Sequence, residues 1–440
     1  MFDVFINDPI ALTLLAGVIL LLSIGLAVAG IKRFEFAILL MIISPWLSVL
    51  FTPSRSELLQ VEQVATFGSY LRISVLLLVG LVGIISFFRF HRQHNRTIPL
   101  QYILLGVFSL MALISTFYSI DQKMTFIRSV SFIFFFFFLL GLGSWLDSEQ
   151  KIQNTLNMVF WVLSAFMFLN LIALPLLTQR VWAFETSRFQ GLWSHPNTMG
   201  GLCMISYPIF IWKYFDCNSN LKWFVILLII LTIAMHILTG SRTTLLSSVL
   251  GTFIFLFIVR KGFSNVFSLI LLLLLLSGFI IINPSSFSRR QGQAVTDLSG
   301  RLEIWGAALQ LSQERPLLGY GYAVGGKGFE DPRFFRKGES LWVGSSRVSL
   351  HNGYLSIAIG VGLIGLVIYF FLLLLPFFKS FKIPDIEIRG LIISFFLMCL
   401  AANFTESYIV GPSNLGAVVL WILWVIAGEK TIDAGAHIIS

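Results

Sequence analysis

Asn283 to Leu363 reads NPSSFSRRQGQAVTDLSGRLEIWGAALQLSQERPLLGYGYAVGGKGFEDPRFFRKGESLWVGSSRVSLHNGYLSIAIGVGL. Its polar part, Phe287 to Leu350, holds nine Lys or Arg against six Asp or Glu, and it ends abruptly at His351-Asn352, where an unbroken apolar run begins. An equally apolar run, 264–283, precedes it. A long cationic loop between two such runs reads as chain that leaves a bilayer, samples one aqueous face and re-enters.

The rest of the chain agrees. Of 440 residues, 57% are hydrophobic and 12% charged, with a net charge of +9. That is about half the charged fraction of an ordinary soluble domain, roughly 25%, so folding in water would leave far too much apolar surface exposed. The runs are continuous rather than alternating, which excludes a membrane β-barrel. Spans are expected at 9–30, 35–51, 70–88, 99–118, 128–145, 154–177, 196–215, 222–239, 243–259, 264–283, 351–376, 389–408 and 413–427, the short last one leaving twelve or thirteen. The fold expected is an all-α polytopic membrane bundle with one large, partly helical loop. Three regions follow: spans 1–283, loop 284–350, and spans with a tail at 351–440. The opening MFDVFINDPI lacks a basic segment ahead of its apolar run, so that run is expected to be retained as a span. Cys203, Cys217 and Cys399 are odd in number and form no CxxC, which supports neither a disulfide framework nor a zinc site.

Orientation follows from short basic connections. Lys32-Arg33, Arg89 with Arg92 and Arg96, Arg260-Lys261, and Lys379 with Lys382 and Arg389 all fall on one side, which the positive-inside rule makes the cytoplasm. The loop 284–350 then lies outside. Long loops cross regardless of charge, so its cations do not overturn the assignment, but they suit an anionic ligand at the outer surface as well as a merely solvated face. The middles of the spans lack Asp, Glu, Lys and Arg, which argues against an ion-coupled pump.

Within the loop, Gly300 to Gln313 fits a short amphipathic helix with Leu302, Trp305 and Leu309 on one stripe, capped by Asp297 or Ser299 and stopped by Pro316. Arg301 falls in the first turn, where the helix dipole disfavours a cation, and a bound anion would resolve the conflict. The following PLLGYGYAVGGKG lacks the GK[ST] ending of a nucleotide-binding loop and reads as a flexible amphipathic connection.

Three further constellations lie at predicted outer ends of spans. Arg188 precedes His195-Pro196-Asn197, where Pro196 suits a first helical turn, His195 a cap, and Arg188 an anion. Ser241-Arg242 occupies a very short turn that holds its guanidinium at headgroup depth, for snorkelling or for phosphate. His351-Asn352 opens a span beneath the loop with Arg347 just upstream, and Gly353, Gly360, Gly362 and Gly365 behind it permit close packing. His351 is a cap or, because imidazole is the side chain suited to accept a proton near neutral pH, a proton acceptor.

Taken together, His351-Asn352-x9-Gly362-x-x-Gly365, Ser241-Arg242, Arg301-Leu-Glu-Ile-Trp305 with Pro316-Leu-Leu-Gly319, and His195-Pro196-Asn197 resemble the O-antigen ligase and polymerase superfamily of bacterial envelope enzymes. The resemblance covers roughly residues 185–370. It implies a metal-independent, inverting glycosyltransferase of the inner membrane, working on the periplasmic face without a cofactor. The donor would be a glycan on undecaprenyl diphosphate, and the acceptor a sugar hydroxyl of lipid A core, of the next repeat unit, or in some relatives a protein side chain. His351 would be the catalytic base and Arg242, Arg301, Arg188 and Arg347 the diphosphate ligands, with Asn352, His195 and Asn197 in support. Membrane lipids and other envelope-assembly proteins are the expected partners, and no nucleic acid. A lipid-linked oligosaccharide flippase is the competing class, although it would require charge along a central cavity rather than at one face.

Overall fold

The computed structural model describes residues 9–50, 67–94, 98–183, 187–260, 301–324, 350–407, 411–412 and 414–436. The predicted span 264–283, Arg347, and the caps Asp297 and Ser299 lie outside the described residues. Each of the other twelve expected spans is a helix: α1 (Pro9–Lys32), α2 (Glu35–Leu50), α3 (Phe67–His94), α4 (Leu100–Ile114, continued by a 3-10 turn at Ser115–Tyr118), α5 (Gln122–Trp145), α6 (Glu149–Leu176), then, after the short α7 (Thr178–Val181), α8 (Pro196–Asp216), α9 (Ser219–Thr239), α10 (Arg242–Val259), and, beyond α11 (Arg301–Glu314), α12 (Gly353–Ser380), α13 (Ile386–Ala402) and α14 (Leu415–Ala436). Seven of these are long and apolar enough to cross a membrane by that measure alone. The protein is a polytopic all-α membrane protein. A two-residue antiparallel hairpin, β1 (Trp182–Ala183) with β2 (Arg188–Phe189), is the sheet among the described residues.

The polar residues that remain inside this bundle mostly serve the backbone. Asp121, Asn218, Asn352, Asp385 and Asn414 accept amide hydrogens at helix starts. Ser109, Ser164, Ser206, Thr232 and Ser248 donate to carbonyls four residues back in their own helices. Both uses leave no donor facing hydrocarbon, where an unsatisfied one would be costly.

The short terminal span occupies the middle of the bundle. Residues 415–429 of α14 are all buried, packed against α2, α5, α8, α12 and α13. The indole of Trp424 donates to Leu372 O at 2.6 Å, and Tyr102 donates to the buried Glu429 at 2.9 Å.

The Gly/Tyr-rich connection after α11 is docked rather than loose through residue 324. Gly362 interrupts α12 with φ 67°, and a Cβ there would sit 2.1 Å from Leu317 O, so the break is shaped for the 316–322 segment. Across it Leu363 N donates to Pro316 O at 2.7 Å, Tyr320 N to Ile359 O at 2.8 Å and Gly321 N to Gly360 O at 2.9 Å. On the other side Tyr322 N donates to Ser115 Oγ at 2.8 Å and Ile120 N to Tyr320 O at 3.1 Å, while Arg128 donates to Ala323 O. The expectation of a flexible connection fails here because the helix break exposes backbone groups that the segment pairs with. Gly362 thus opens the helix instead of only permitting close packing.

The expected stripe on α11 is also shifted. The helix forms where predicted, but Ala308 and Leu311, with Ile304 and Ala307, face the protein and pack on Tyr320, Val324, Leu350 and Ile359. Leu302 and Leu309 point away, at 63% and 53% exposure. Hydrophobic periodicity admitted either arc, and the docking of Tyr320 and Val324 selected one.

Candidate active site

Five helix ends meet at one end of the bundle. The junction of α12 with α13 sets the geometry: Gly353 N donates to Asn403 O at 2.9 Å, and a Cβ on Gly353 would lie 2.0 Å from the Asn403 side chain. That approach puts the turn after α13 against the residue before α12's cap. His351 adopts a left-handed backbone, φ 45°, unusual for a residue with a Cβ and costing about 1–3 kcal/mol. Its ring meets the carboxylate of Glu406, Nδ1 to Oε2, at 2.9 Å.

Glu406 is the hub. Its other oxygen, Oε1, accepts from Arg301 Nη2 and from Asn197 Nδ2, both at 2.8 Å. Arg301 also donates through Nη1 to Thr405 O at 2.6 Å. Asn197 accepts on Oδ1 from Arg188 Nη2 at 3.0 Å, and Arg188 Nε donates to Thr239 O at 2.6 Å. The chain Arg188–Asn197–Glu406–Arg301, with His351 on the free corner, joins the hairpin and the ends of α8, α9, α11, α12 and α13. Arg188, Asn197, Arg301 and Glu406 are buried, whereas the His351 side chain keeps 35% of its surface.

The electrostatics follow from this wiring. Burial by itself would raise the Glu406 carboxyl, but the hydrogen bond and charge of His351 and the charge of Arg301 outweigh it and hold the group below the usual carboxylate range. An ionised carboxylate only accepts, so His351 must present Nδ1–H to it. In the neutral ring the lone pair is then on Nε2, the nitrogen that can take a proton. The cation at the start of α11, which looked unfavourable in isolation, is matched by this internal carboxylate.

The other predicted residues take mixed positions. His195 caps α8, its Nδ1 accepting from Asn197 N at 3.1 Å, and Pro196 occupies the first turn, so this pair has a structural task while Asn197 reaches the hub. Asn352 caps α12 by accepting from Leu355 N at 3.0 Å. Arg242 is half-buried at the first position of α10, behind the left-handed Gly240 and three residues beyond the Thr239 carbonyl that holds Arg188. Sequence reasoning placed Glu406 near the end of a span and gave it no role. Its signal was present: it is the lone acid in the apolar run 389–408, and an ionisable group in such a run asks for a partner.

Residues 227–370 match the model of the O-antigen ligase family. Through this region the chain is similar to the O-antigen ligase family. It is also 27% identical over 310 residues to the ComP-specific O-oligosaccharyltransferase of Acinetobacter baylyi, a match covering 65% of this chain. The chain spans 55% of that relative's length over the match. The O-antigen ligase region supplies Arg242, Arg301 and His351, whereas Arg188, Asn197 and Glu406 come from either side of it.

Proposed function

We propose that the protein is a glycosyltransferase of the bacterial inner membrane that moves a glycan from undecaprenyl diphosphate to an acceptor hydroxyl at the periplasmic face. The observation that carries this reading is the His351–Glu406 pair, which leaves Nε2 as the proton acceptor, set among guanidinium groups. His351 Nε2 takes the proton of the acceptor hydroxyl as its oxygen attacks the anomeric carbon. The bond from that carbon to the diphosphate breaks, its electron pair leaves with undecaprenyl diphosphate, and configuration inverts. Glu406 touches neither substrate and acts by holding the imidazole.

The cations serve the leaving group. Three guanidinium groups, Arg188, Arg242 and Arg301, against the one Glu406 carboxylate leave two positive charges, suited to a diphosphate whose charge grows in the transition state. Arg242, at the first turn of α10, and Arg347 are assigned as further ligands of the diphosphate. The chemistry requires no metal. The acceptors to be compared are a lipid A core sugar, the next repeat unit and a protein side chain. The test is transfer by proteoliposomes supplied with an undecaprenyl-diphosphate-linked glycan and each acceptor in turn. Elongation with no second acceptor identifies a polymerase. A His351→Ala protein that reaches the membrane and transfers at the native rate overturns the reading.

A further inference from the structure

We propose that α11, although part of the large polar loop, lies in the membrane interface with Leu302 and Leu309 inserted among lipid acyl chains on the side of the bilayer that carries the candidate site. The proposal rests on how the helix is anchored and on what its second apolar shoulder adjoins, and it is independent of any transfer chemistry.

Both ends of α11 are tied to helices of the bundle. At its start Arg301 bonds to Thr405 and Glu406, just beyond α13. After its end Pro316 O accepts from Leu363 in α12, and Leu318 O accepts from the Tyr118 hydroxyl at the end of α4. A helix of 14 residues is about 21 Å long, and with its start held just beyond α13 and its far end held at the internal break of α12 and the end of α4, it runs along the bundle instead of projecting from it.

Its surface divides into three arcs. Ala308 and Leu311 face the protein, as described above. Gln310, Gln313 and Glu314 are exposed and polar. Leu302 and Leu309 form a separate exposed shoulder between these two, seven positions apart and so within about 20° of each other around the axis. Protein on one side, leucine on the next and polar groups on the third is the pattern of a helix lying in a headgroup region.

Lipid is the occupant because the shoulder continues a lipid-facing surface. On α4, Ile103, Val107, Leu110, Ile114 and Phe117 recur at helical spacing and are all exposed, the stripe expected where a span meets acyl chains. Leu317 and Leu318, exposed at 57% and 50%, are held beside the end of that stripe by the Tyr118 bond. The apolar track passes from α4 to Leu317 and Leu318, which follow α11 directly, and Leu302 and Leu309 carry an apolar shoulder along that helix beyond the exposed Gln313.

The test uses the full chain in phospholipid vesicles, with Cys203, Cys217 and Cys399 replaced by Ala and a single cysteine placed by Leu302→Cys, Leu309→Cys, Gln310→Cys or Glu314→Cys. Each is labelled with a small environment-sensitive fluorophore and challenged with nitroxide-bearing acyl chains or with aqueous iodide. Labels at 302 and 309 are expected to lose most of their fluorescence to the acyl nitroxide and little to iodide, and labels at 310 and 314 the reverse. Iodide quenching at 309 equal to that at 310 overturns the proposal, since the shoulder then faces water. Shielding of 302 and 309 from both quenchers also overturns it, because another protein segment or a second copy then covers them. Leu317→Cys provides the same reading should the substitutions in α11 fail to fold.

Discussion

Replacing Glu406 with Gln changes one oxygen for one NH2 group and leaves shape almost untouched, so its consequence can be followed donor by donor. Oε1 receives two donors, Arg301 Nη2 and Asn197 Nδ2, each at 2.8 Å, while Oε2 receives Nδ1 of His351. Glutamine has a single acceptor oxygen. Two donors on one side outweigh one on the other, so that oxygen turns to Arg301 and Asn197, and the new NH2 faces His351. The ring must then accept at Nδ1 and carry its proton on Nε2, the wrong tautomer for taking a proton from an acceptor. Since general-base catalysis contributes about 100- to 10,000-fold, kcat for transfer should fall by that order. KM for the lipid-linked donor should move little, because the cations assigned to the diphosphate remain. Single-turnover transfer in proteoliposomes, measured over a range of donor concentration, separates the two parameters. A Glu406→Gln protein with native kcat, or one whose loss lies entirely in KM, would refute the tautomer argument. Glu406→Asp, which keeps the charge but shortens the reach, should recover part of the rate.

Three other expectations come from the same structure. The Glu406 carboxyl is held below its ordinary value near 4.5, so it contributes stability that is fully present above that pH and lost as pH falls through its lower folded value; thermal unfolding in detergent should show an acid-side decline that Glu406→Gln lacks. Gly362→Ala places a Cβ 2.1 Å from Leu317 O at a left-handed position, so it should cost about 1–3 kcal/mol in strain alone and release the 316–322 segment, read as a lower unfolding temperature and faster hydrogen exchange at Tyr320 and Gly321. Tyr102→Phe removes the 2.9 Å hydrogen bond to the buried Glu429 and should destabilise the bundle by about 1.5–3 kcal/mol, with transfer activity of the folded fraction unchanged.

The placement of twelve of the expected apolar helices was legible in the chain itself, because a bilayer of fixed thickness demands apolar runs of a matching length and the backbone must close its own hydrogen bonds within each. Arg188, Asn197 and His351 were legible as candidates for the related reason that a polar side chain at the mouth of an apolar run is conspicuous, and Arg301 because a cation in the first turn of a helix opposes its dipole. What hydrophobicity could not convey was which helix stands at the centre. Lipid and protein interior are equally apolar, so α14, the shortest run, looked marginal and is the most enclosed. Partnership was equally hidden. Glu406 and His351 are 55 residues apart and meet only because Gly353 lets α12 approach the end of α13, a contact between helix ends that no local periodicity encodes. The same holds for Gly362, whose spacing from His351 was plain in the chain while its left-handed break acquires meaning only from the segment at 316–322 that fills it.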